Sequence, residues 1–326
     1  MSIASNGQRP SASVSLDADN LWSYMKTHGD AGWEARPSYL DRFVPHVLAV
    51  LEDLGLRITF FIVGLDAADE RNHAALRRIP QAGHELGNHS YEHEPWLHLY
   101  SREQLEQEID RTDQAIERAT GVRPVGFRGP GFSWSPALLS VLESRGHQFD
   151  ASTLPTYLGP LARRYYFWTA RLTPEEREQR KGLFGSFSDG FRPVKPYYWR
   201  LPDGRRLLEM PVTTIPGIKT PFHLSYLLYL AGFSEAMMMA YLRTAIAVCR
   251  FSGTEPSFLL HPLDVIGGDQ VPELRFFPGM DVPSDRKTAL LGKVLRTLGE
   301  HFELVPMGEH ARRIRERGGL PERRAA

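Results

Sequence analysis

The feature that most constrains the fold is a repeated alternation of short apolar runs with longer amphipathic segments. Residues 12–16 and 57–63 have the length and composition of buried strands, and residues 38–54 between them place apolar side chains at helical spacing. Further strands are predicted at 84–88, 125–128, 148–151, 207–212, 258–261 and 302–305, and further helices at 67–82, 101–119, 136–146, 284–298 and the end of the chain. Seven or eight such units predict an α/β fold whose parallel strands and crossover helices close into a barrel.

Two of the predicted helices begin at recognisable capping sequences. Ser101 and Gln104 have the spacing of a capping box, in which each side chain binds the backbone N–H of the other residue. Ser135 followed by Pro136 places a good N-cap residue before a proline at the first helical position. These sequences predict where the two helices begin.

The length of 326 residues fits one large domain. We expect that domain to occupy residues 11–310, after a flexible tail at 1–10 and before a basic tail at 311–326. Residues 20–37 and about 156–200 are irregular, and the second stretch is long enough to be a lid or insert. The terminal arginines are better explained by a solvated, frayed end than by a nucleic-acid patch.

Composition excludes several classes of protein. The chain has 39 basic and 39 acidic residues, so no net charge attracts nucleic acid or an anionic membrane. The single cysteine, Cys249, cannot form an intramolecular disulfide and is expected to be a small buried hydrophobic residue. No run of about 18 apolar residues predicts a membrane span, and the N-terminus lacks the apolar segment of a signal peptide. The cytoplasm is therefore the expected location.

Residues with useful chemistry collect at the ends of the predicted strands, where (β/α) barrels build their active sites. They are Asp17 and Asp19 after the first strand, His89 and His93 after the third, and Arg128, Asp150 and His261 at the ends of later strands. All seven would lie on one face of the barrel.

The histidine pair and the aspartate pair together predict a metal site. His89 and His93 are one helical turn apart and could share a cation, although with twelve histidines in the chain a structural or surface pair stays open. Asp17 and Asp19 would repel each other without a cation or base nearby. One carboxylate and two imidazoles leave coordination positions open for water and substrate, and the other carboxylate can accept a proton. The alternative is that Asp19 and Asn20 cap the next helix.

Five motifs in this order resemble the polysaccharide deacetylases, the NodB-type family also called carbohydrate esterase family 4. The motifs are Asp17-Ala18-Asp19, His89-Ser90-x-x-His93, Arg128-Gly129-Pro130, Asp150-Ala151-Ser152 and Leu260-His261-Pro262. The resemblance runs from about residue 11 to 307. Ala18 between the aspartates resembles a D-x-D subgroup that contains some bacterial peptidoglycan deacetylases and allantoinase-like enzymes.

The resemblance implies a distorted (β/α)7–8 barrel in a single domain that removes an N- or O-acyl group from a sugar. It implies a catalytic base at Asp17, metal ligands at Asp19, His89 and His93 for a divalent ion that is most often Zn2+, an arginine orienting the base at Arg128, an aspartate in the groove wall at Asp150, and a general acid at His261. A backbone N–H near Gly131 would help to bind the oxyanion. For Arg128, a salt bridge to a structural carboxylate is the alternative.

The substrate is less constrained by the sequence. Trp22 and Trp96 could stack on sugar rings, although buried tryptophans are as common. The apolar stretch at 221–241 is explained by core packing or a subunit interface, or by a lip for a lipid-linked sugar. We therefore expect a metal-dependent hydrolase that removes an acetyl or formyl group from a sugar, which could be nucleotide- or lipid-linked. The alternatives are hydrolysis of a ureide or cyclic imide, a non-catalytic carbohydrate-binding relative, and a metal-stabilised structural domain; homo-oligomers stay open.

Overall fold

The structure is a computed structural model and describes residues 9–160, 164 and 187–325. Its strands are β1 (Ser11–Asp17), β2 (Thr59–Ile62), β3 (Glu85–Asn88), β4 (Phe149–Asp150), β5 (Tyr197–Arg200), β6 (Arg206–Glu209), β7 (Ser257–Leu260), β8 (Glu303–Val305) and β9 (Glu322–Arg324). Its α-helices are α1 (Leu21–His28), α2 (Leu40–Asp53), α3 (Gly64–Ala68), α4 (Glu70–Gln81), α5 (Arg102–Thr120), α6 (Pro136–Ser144), α7 (Leu224–Phe233), α8 (Glu235–Ser252), α9 (Ser284–His301) and α10 (Met307–Arg317).

Strand β1 lies at the centre of the first sheet. It pairs in parallel with β2, β7 and β8, and the sheet continues from β2 to β3. All seven residues of β1 are buried, as expected for a parallel strand whose two faces are both covered. Because these strands run in parallel, β1, β2, β3 and β7 end at the same edge of the sheet.

A second sheet has the order β4-β6-β5-β9 and is joined to the first by hydrogen bonds on both sides. On one side, Phe127 bridges Asn88 and Asp150. On the other side, the Thr213 N–H donates to the Ser257 carbonyl over 3.0 Å. The predicted α/β class with a parallel sheet is confirmed, and these links give the two sheets a barrel-like arrangement. The predicted strand at 125–128 is reduced to the bridge at Phe127.

The helix starts agree with the capping sequences. Ser101 and Gln104 form the predicted capping box of α5, and the Ser135 hydroxyl accepts from the Leu138 N–H at the start of α6. The predicted helix at 67–82 is instead divided, because Asp69 is extended and its side chain caps α4. The segment at 20–37, predicted to be irregular, contains α1.

The C-terminal segment is part of the fold, and the prediction of a frayed tail is wrong. Helix α10 extends to Arg317, and its basic side chains pair with acids elsewhere: Arg313 with Glu303, and Arg317 with Glu255. Strand β9 then pairs with β5. These arginines therefore attach the terminus to the rest of the molecule.

Part of the predicted insert at 156–200 lies outside the described residues, namely 161–163 and 165–186. The described portion is more regular than predicted, because residues 187–191 form a 3-10 turn and β5 follows.

The apolar stretch at 221–241 forms α7 and the start of α8. Six of its large side chains, including Leu224, Leu227 and Met238, are buried in the main core, whereas Tyr229, Phe233 and Met237 are exposed. Core packing therefore explains most of the stretch. None of the helices formed by the described residues has both the length and the hydropathy of a membrane span.

Candidate active site

The loop after β1 directs the Asp19 side chain away from the helix that follows. Asn20 is the N-cap of α1, and its Oδ1 accepts from the Leu21 N–H over 2.8 Å. The Asn20 amide also donates to Asp66 Oδ1 over 2.7 Å, and the Tyr39 hydroxyl donates to the Asp19 carbonyl. Because Asn20 alone caps the helix, the alternative role for Asp19 as a capping residue is not supported.

The two candidate histidine ligands lie in a turn after β3 rather than on a helix. Their spacing was predicted to be one helical turn, but both Ser90 and His93 have left-handed backbone, with φ of 59° and 56°. Non-glycine residues adopt this conformation at a cost of order 1–3 kcal/mol, so surrounding contacts must hold it. Asn88 Oδ1 accepts from the Ser90 N–H over 2.8 Å, and Glu108 Oε2 accepts from the Tyr91 N–H over 2.7 Å.

Asp19, His89 and His93 converge on one point. Asp19 Oδ1 lies 2.9 Å from His93 Nε2 and 3.4 Å from His89 Nε2, and ligand atoms of all three residues lie within 4.8 Å of one another. The second nitrogen of His89, Nδ1, is 2.6 Å from the Arg128 carbonyl, which can only accept. His89 therefore carries its proton on Nδ1 when neutral and presents the Nε2 lone pair to Asp19.

This arrangement fits a divalent cation. Within the part of the chain that the structure describes, Asp19 Oδ1 is buried without a hydrogen-bond partner, and when His89 is neutral its lone pair faces that oxygen, so acceptors meet acceptors. Burial would raise the pKa of Asp19, whereas positive charge on His93 and His89 would outweigh burial and hold that pKa well below its usual range, so the carboxylate needs positive charge beside it. One carboxylate oxygen and two imidazole nitrogens form the three-ligand set typical of catalytic zinc.

Asp17, the predicted base, forms a buried ion pair with Arg128. Arg128 Nη1 donates to Asp17 Oδ1 over 2.7 Å and to Ser15 Oγ over 2.9 Å. Arg128 is fully buried, and its guanidinium lies 4.5 Å from the ring centre of Phe61. With Nε also donating to the Ala151 carbonyl, the guanidinium has one fixed orientation that directs Asp17. The alternative for Arg128, a salt bridge to a structural carboxylate, therefore requires Asp17 itself to be structural.

His261, the predicted acid, follows β7 and is partly exposed. The backbone N–H of His261 donates to Asp264 Oδ2 over 2.8 Å, and the ring nitrogen Nδ1 lies 3.8 Å from the same oxygen. The Ser225 hydroxyl is 3.5 Å from Nδ1. Burial alone would lower the pKa of His261, but Asp264 and, at longer range, Asp17 and Asp19 raise it to about 9. The imidazole is thus charged near neutral pH and able to donate a proton.

Asp150 does not line a groove, and that prediction is corrected. Its side chain is fully buried, because it lies behind the loop that carries Arg128. Asp150 Oδ1 accepts from the Ser152 hydroxyl over 2.5 Å, and Ser152 Oγ accepts from the Gly129 N–H over 2.8 Å. Asp150 also lies beside the buried Glu209, whose pKa is raised by burial and by the charge of Asp150. Its contacts support the backbone next to Arg128 rather than a substrate.

The predicted sugar contacts have different outcomes. Trp22 is 1% exposed and its indole N–H donates to Asp66 Oδ1 over 2.9 Å, so no ring face is free to stack on a sugar and that prediction is wrong. Trp96 is half-buried ahead of a 3-10 turn at Leu97–Leu99. Gly131 is exposed in the Pro130–Phe132 turn with φ of 59°, and its role as an N–H donor stays a prediction.

Three buried acids near the site were missed by sequence reasoning: Asp66, Glu209 and Asp264. Asp264 stands three residues after His261, a spacing that could have indicated a local contact. Asp66 and Glu209 carry no comparable signal, because their partners Trp22 and Asp150 lie 44 and 59 residues away along the chain.

Comparison with known proteins supports the motif-based resemblance. The sequence model of the family described as Polysaccharide deacetylase matches residues 29–149, a segment that includes His89, His93 and Arg128 but not the two aspartates or His261. A peptidoglycan-N-acetylglucosamine deacetylase of Bacillus cereus is 32% identical over 88 residues, which cover 27% of this chain and 31% of that protein. A chitooligosaccharide deacetylase of Sinorhizobium fredii is 33% identical over 131 residues, which cover 38% of this chain and 60% of that protein.

The resemblance to the polysaccharide deacetylases is confirmed. The match spans about a third of the length of three curated relatives, the Bacillus cereus protein among them. Two solved structures share the fold over nearly the whole chain. A Mycobacterium smegmatis protein provisionally assigned as a polysaccharide deacetylase has a TM-score of 0.64 at 19% identity, covering 99% of this chain and 95% of its own. Puue allantoinase has a TM-score of 0.54 at 16% identity, covering 94% of this chain and 90% of its own.

Proposed function

We propose that this protein is a metal-dependent deacylase that removes an acetyl or formyl group from an N-acylated sugar. The observation that carries the proposal is the convergence of Asp19, His89 and His93 on one point, next to a carboxylate, Asp17, that a buried arginine holds in place. A three-ligand site with an adjacent base is the arrangement that metal-assisted hydrolysis requires. His261 adds a proton donor at the end of a neighbouring strand.

Each side chain then has a defined task. When bound, a divalent ion such as Zn2+ supplies a Lewis acid that polarises the acyl carbonyl and makes water more acidic. Asp17 accepts a proton from the attacking water, and Arg128 keeps the carboxylate oriented for that transfer. His261, charged near neutral pH, donates a proton to the departing sugar nitrogen.

The substrate class is supported by the relatives. The Bacillus cereus and Sinorhizobium fredii proteins are named for peptidoglycan N-acetylglucosamine and for chitooligosaccharides, and both substrates carry N-acetylglucosamine. We therefore propose an N-acetylated amino sugar as the first substrate to test. A lipid or nucleotide attached to that sugar, the cytoplasmic location and the oligomeric state stay predictions from the sequence.

The test combines metal analysis of the purified chain with acetate and formate release from N-acylated sugars, with and without a chelator. We expect about one ion per chain and release that stops on chelation and returns with Zn2+. The panel includes a ureide, because Puue allantoinase shares the fold. Release from the ureide alone would replace the sugar with a non-sugar amide, and failure to bind any divalent ion would contradict the proposal.

A matched pair of variants links the ion to the chemistry. Asp19→Ala removes a proposed ligand, whereas Asp30→Ala removes a partly exposed carboxylate whose partner is His28, outside the site. We expect the first variant to lose both the ion and acyl release and the second to keep both. Equal behaviour of the two variants would mean that Asp19 does not hold the ion.

A further inference from the structure

The turn after β7 contains a buried acid that contacts His261 twice. Residues Pro262–Asp264 form a 3-10 turn, and Asp264 is 3% exposed. Asp264 Oδ2 accepts the His261 backbone N–H over 2.8 Å and lies 3.8 Å from His261 Nδ1. One carboxylate oxygen therefore hydrogen-bonds to the backbone of His261 and lies within ion-pair distance of its ring.

A buried lysine holds this turn from helix α9. Lys287 is 1% exposed, and its ammonium donates to the carbonyls of Leu263 and Ile266 over 2.6 and 2.9 Å. These two carbonyls lie on either side of Asp264. Burying an ammonium group is costly unless its hydrogen bonds are satisfied. Burial lowers the pKa of Lys287 to about 8, while Asp264, Asp269 and Asp281 oppose the shift.

Other groups around His261 do not provide the same restraint. Asp17 and Asp19 at the end of β1 act on its charge from a distance. His223, ahead of α7, has its ring centre 6.1 Å away, and burial together with the charge of His261 lowers the pKa of His223 to about 3, so it is neutral. The Ser225 hydroxyl lies 3.5 Å from Nδ1, nearer than Asp264 Oδ2, but it carries no charge.

We propose that Asp264 and Lys287 are positioning residues for His261. Lys287 fixes the turn by holding the carbonyls on both sides of Asp264, and Asp264 in turn keeps the His261 ring oriented with its Nδ1 proton towards the turn. Nε2 is then the ring nitrogen available for proton transfer. This inference rests on the proposed function only for the identity of the reaction, since the restraint on His261 exists in the protein without substrate.

The first test is a titration of His261 by NMR in the full chain loaded with Zn2+, which is diamagnetic. Asp264→Asn keeps an oxygen that can accept the His261 N–H but removes the charge. We expect it to lower the pKa of His261 by about 1–2 units and kcat by about 10- to 100-fold, with KM changed less than about threefold. The alkaline limb of the rate profile should move by the same amount as the NMR titration.

Lys287→Met tests the second residue, with Lys293→Met as its control. Lys293 lies on the same helix but is exposed and paired with Glu235. We expect Lys287→Met to broaden or shift the His261 ring signals and to speed amide exchange at residues 262–266, while Lys293→Met leaves both unchanged. If Lys287→Met does not fold, the Asp264→Asn measurement decides alone.

The outcomes separate this inference from the proposed function. A shifted His261 titration in a chain without deacylase activity would support the positioning role and remove the reaction assigned to it. Active Asp264→Asn protein with an unchanged titration and an unchanged rate profile would overturn the inference and leave the deacylase assignment intact.

Discussion

Two clusters of buried acids can be compared in this molecule. At the end of β1, Asp19 faces two imidazoles, and its Oδ1 is buried with no hydrogen-bond partner. On the second sheet, Asp150 and Glu209 are both fully buried and close enough to shift each other's pKa. Both clusters bring acceptor atoms together away from water, which is unfavourable unless positive charge or a proton lies between them.

The neighbouring groups decide whether positive charge or a proton lies between the acceptor atoms of each cluster. Glu209 receives hydrogen bonds from Thr153 over 2.6 Å and from the Trp199 indole over 2.8 Å, and among the residues that the structure describes no cationic group binds either acid. Burial and the charge of Asp150 raise the pKa of Glu209 well above its usual range, so Glu209 keeps a proton that it shares with Asp150. Around Asp19 the neighbours are the imidazole nitrogens of His89 and His93, whose lone pairs can coordinate a metal ion. The comparison teaches that close acids alone do not indicate a metal site.

The largest effect is expected when the charge of Asp17, the proposed base, is removed. Asp17→Asn should retain the metal ion, because Asp17 contacts Arg128 rather than the histidines, and should lower kcat by roughly 100- to 10,000-fold. Metal content and acyl release measured on one preparation check this. Loss of the ion from Asp17→Asn would mean that the two aspartates have been assigned to each other's roles.

His261→Ala should reduce kcat by roughly 100- to 10,000-fold for substrates with a poor amine leaving group. Because the acid must be protonated and its pKa is raised to about 9, activity should be present below that value and fall as pH rises through it. A cation bound at the site would lower the pKa of His261 and so move this fall in activity to lower pH. Ser225→Ala is the control and should change the rate little. An unchanged rate in the His261→Ala variant would exclude His261 as the general acid.

Asp150 provides a test of the second cluster through stability. Asp150→Ala removes the acceptor of the Ser152 hydroxyl and the carboxyl beside Glu209, and we expect a loss of about 3 kcal/mol in the free energy of unfolding. Asp150→Asn can still accept from Ser152 and donate to Glu209, so its loss should stay below about 1 kcal/mol, with activity retained. Urea unfolding and acyl release check both. An inactive but stable Asp150→Asn protein would restore the catalytic role predicted from the motif.

The smallest effect is expected at Asp66, which supports the loop that carries Asp19 through Asn20 and Trp22. Burial raises the pKa of Asp66 to about 7, although both hydrogen bonds oppose the shift. The folded state therefore binds this proton more tightly than the unfolded state, and stability should fall as pH rises from about 5 to 8, by about 2 kcal/mol. Asp66→Asn should remove that part of the pH dependence in urea unfolding. An unchanged slope would mean that Asp66 is ionised throughout.

Much of the fold could be predicted because its signals are local. The apolar runs that became β1, β2 and β7, and the capping box of α5, are contained within a few residues each. The division at Asp69 and helix α1 were missed because capping by Asp69 and Asn20 competes with the hydrophobic pattern. The C-terminal arginines were misread because their acidic partners, such as Glu255, lie far away along the chain.

The same division holds for the candidate site. The sequence by itself determined which residues stand at the ends of parallel strands, because a strand's length and direction follow from its own side chains. Only the tertiary structure decided what each of those residues contacts. It buried Trp22 against Asp66, paired Asp150 with Glu209 and brought Lys287 to the turn that carries His261. Burial and charge depend on groups distant along the chain, and these groups determine whether an acid holds a metal ion, a proton or a neighbouring side chain.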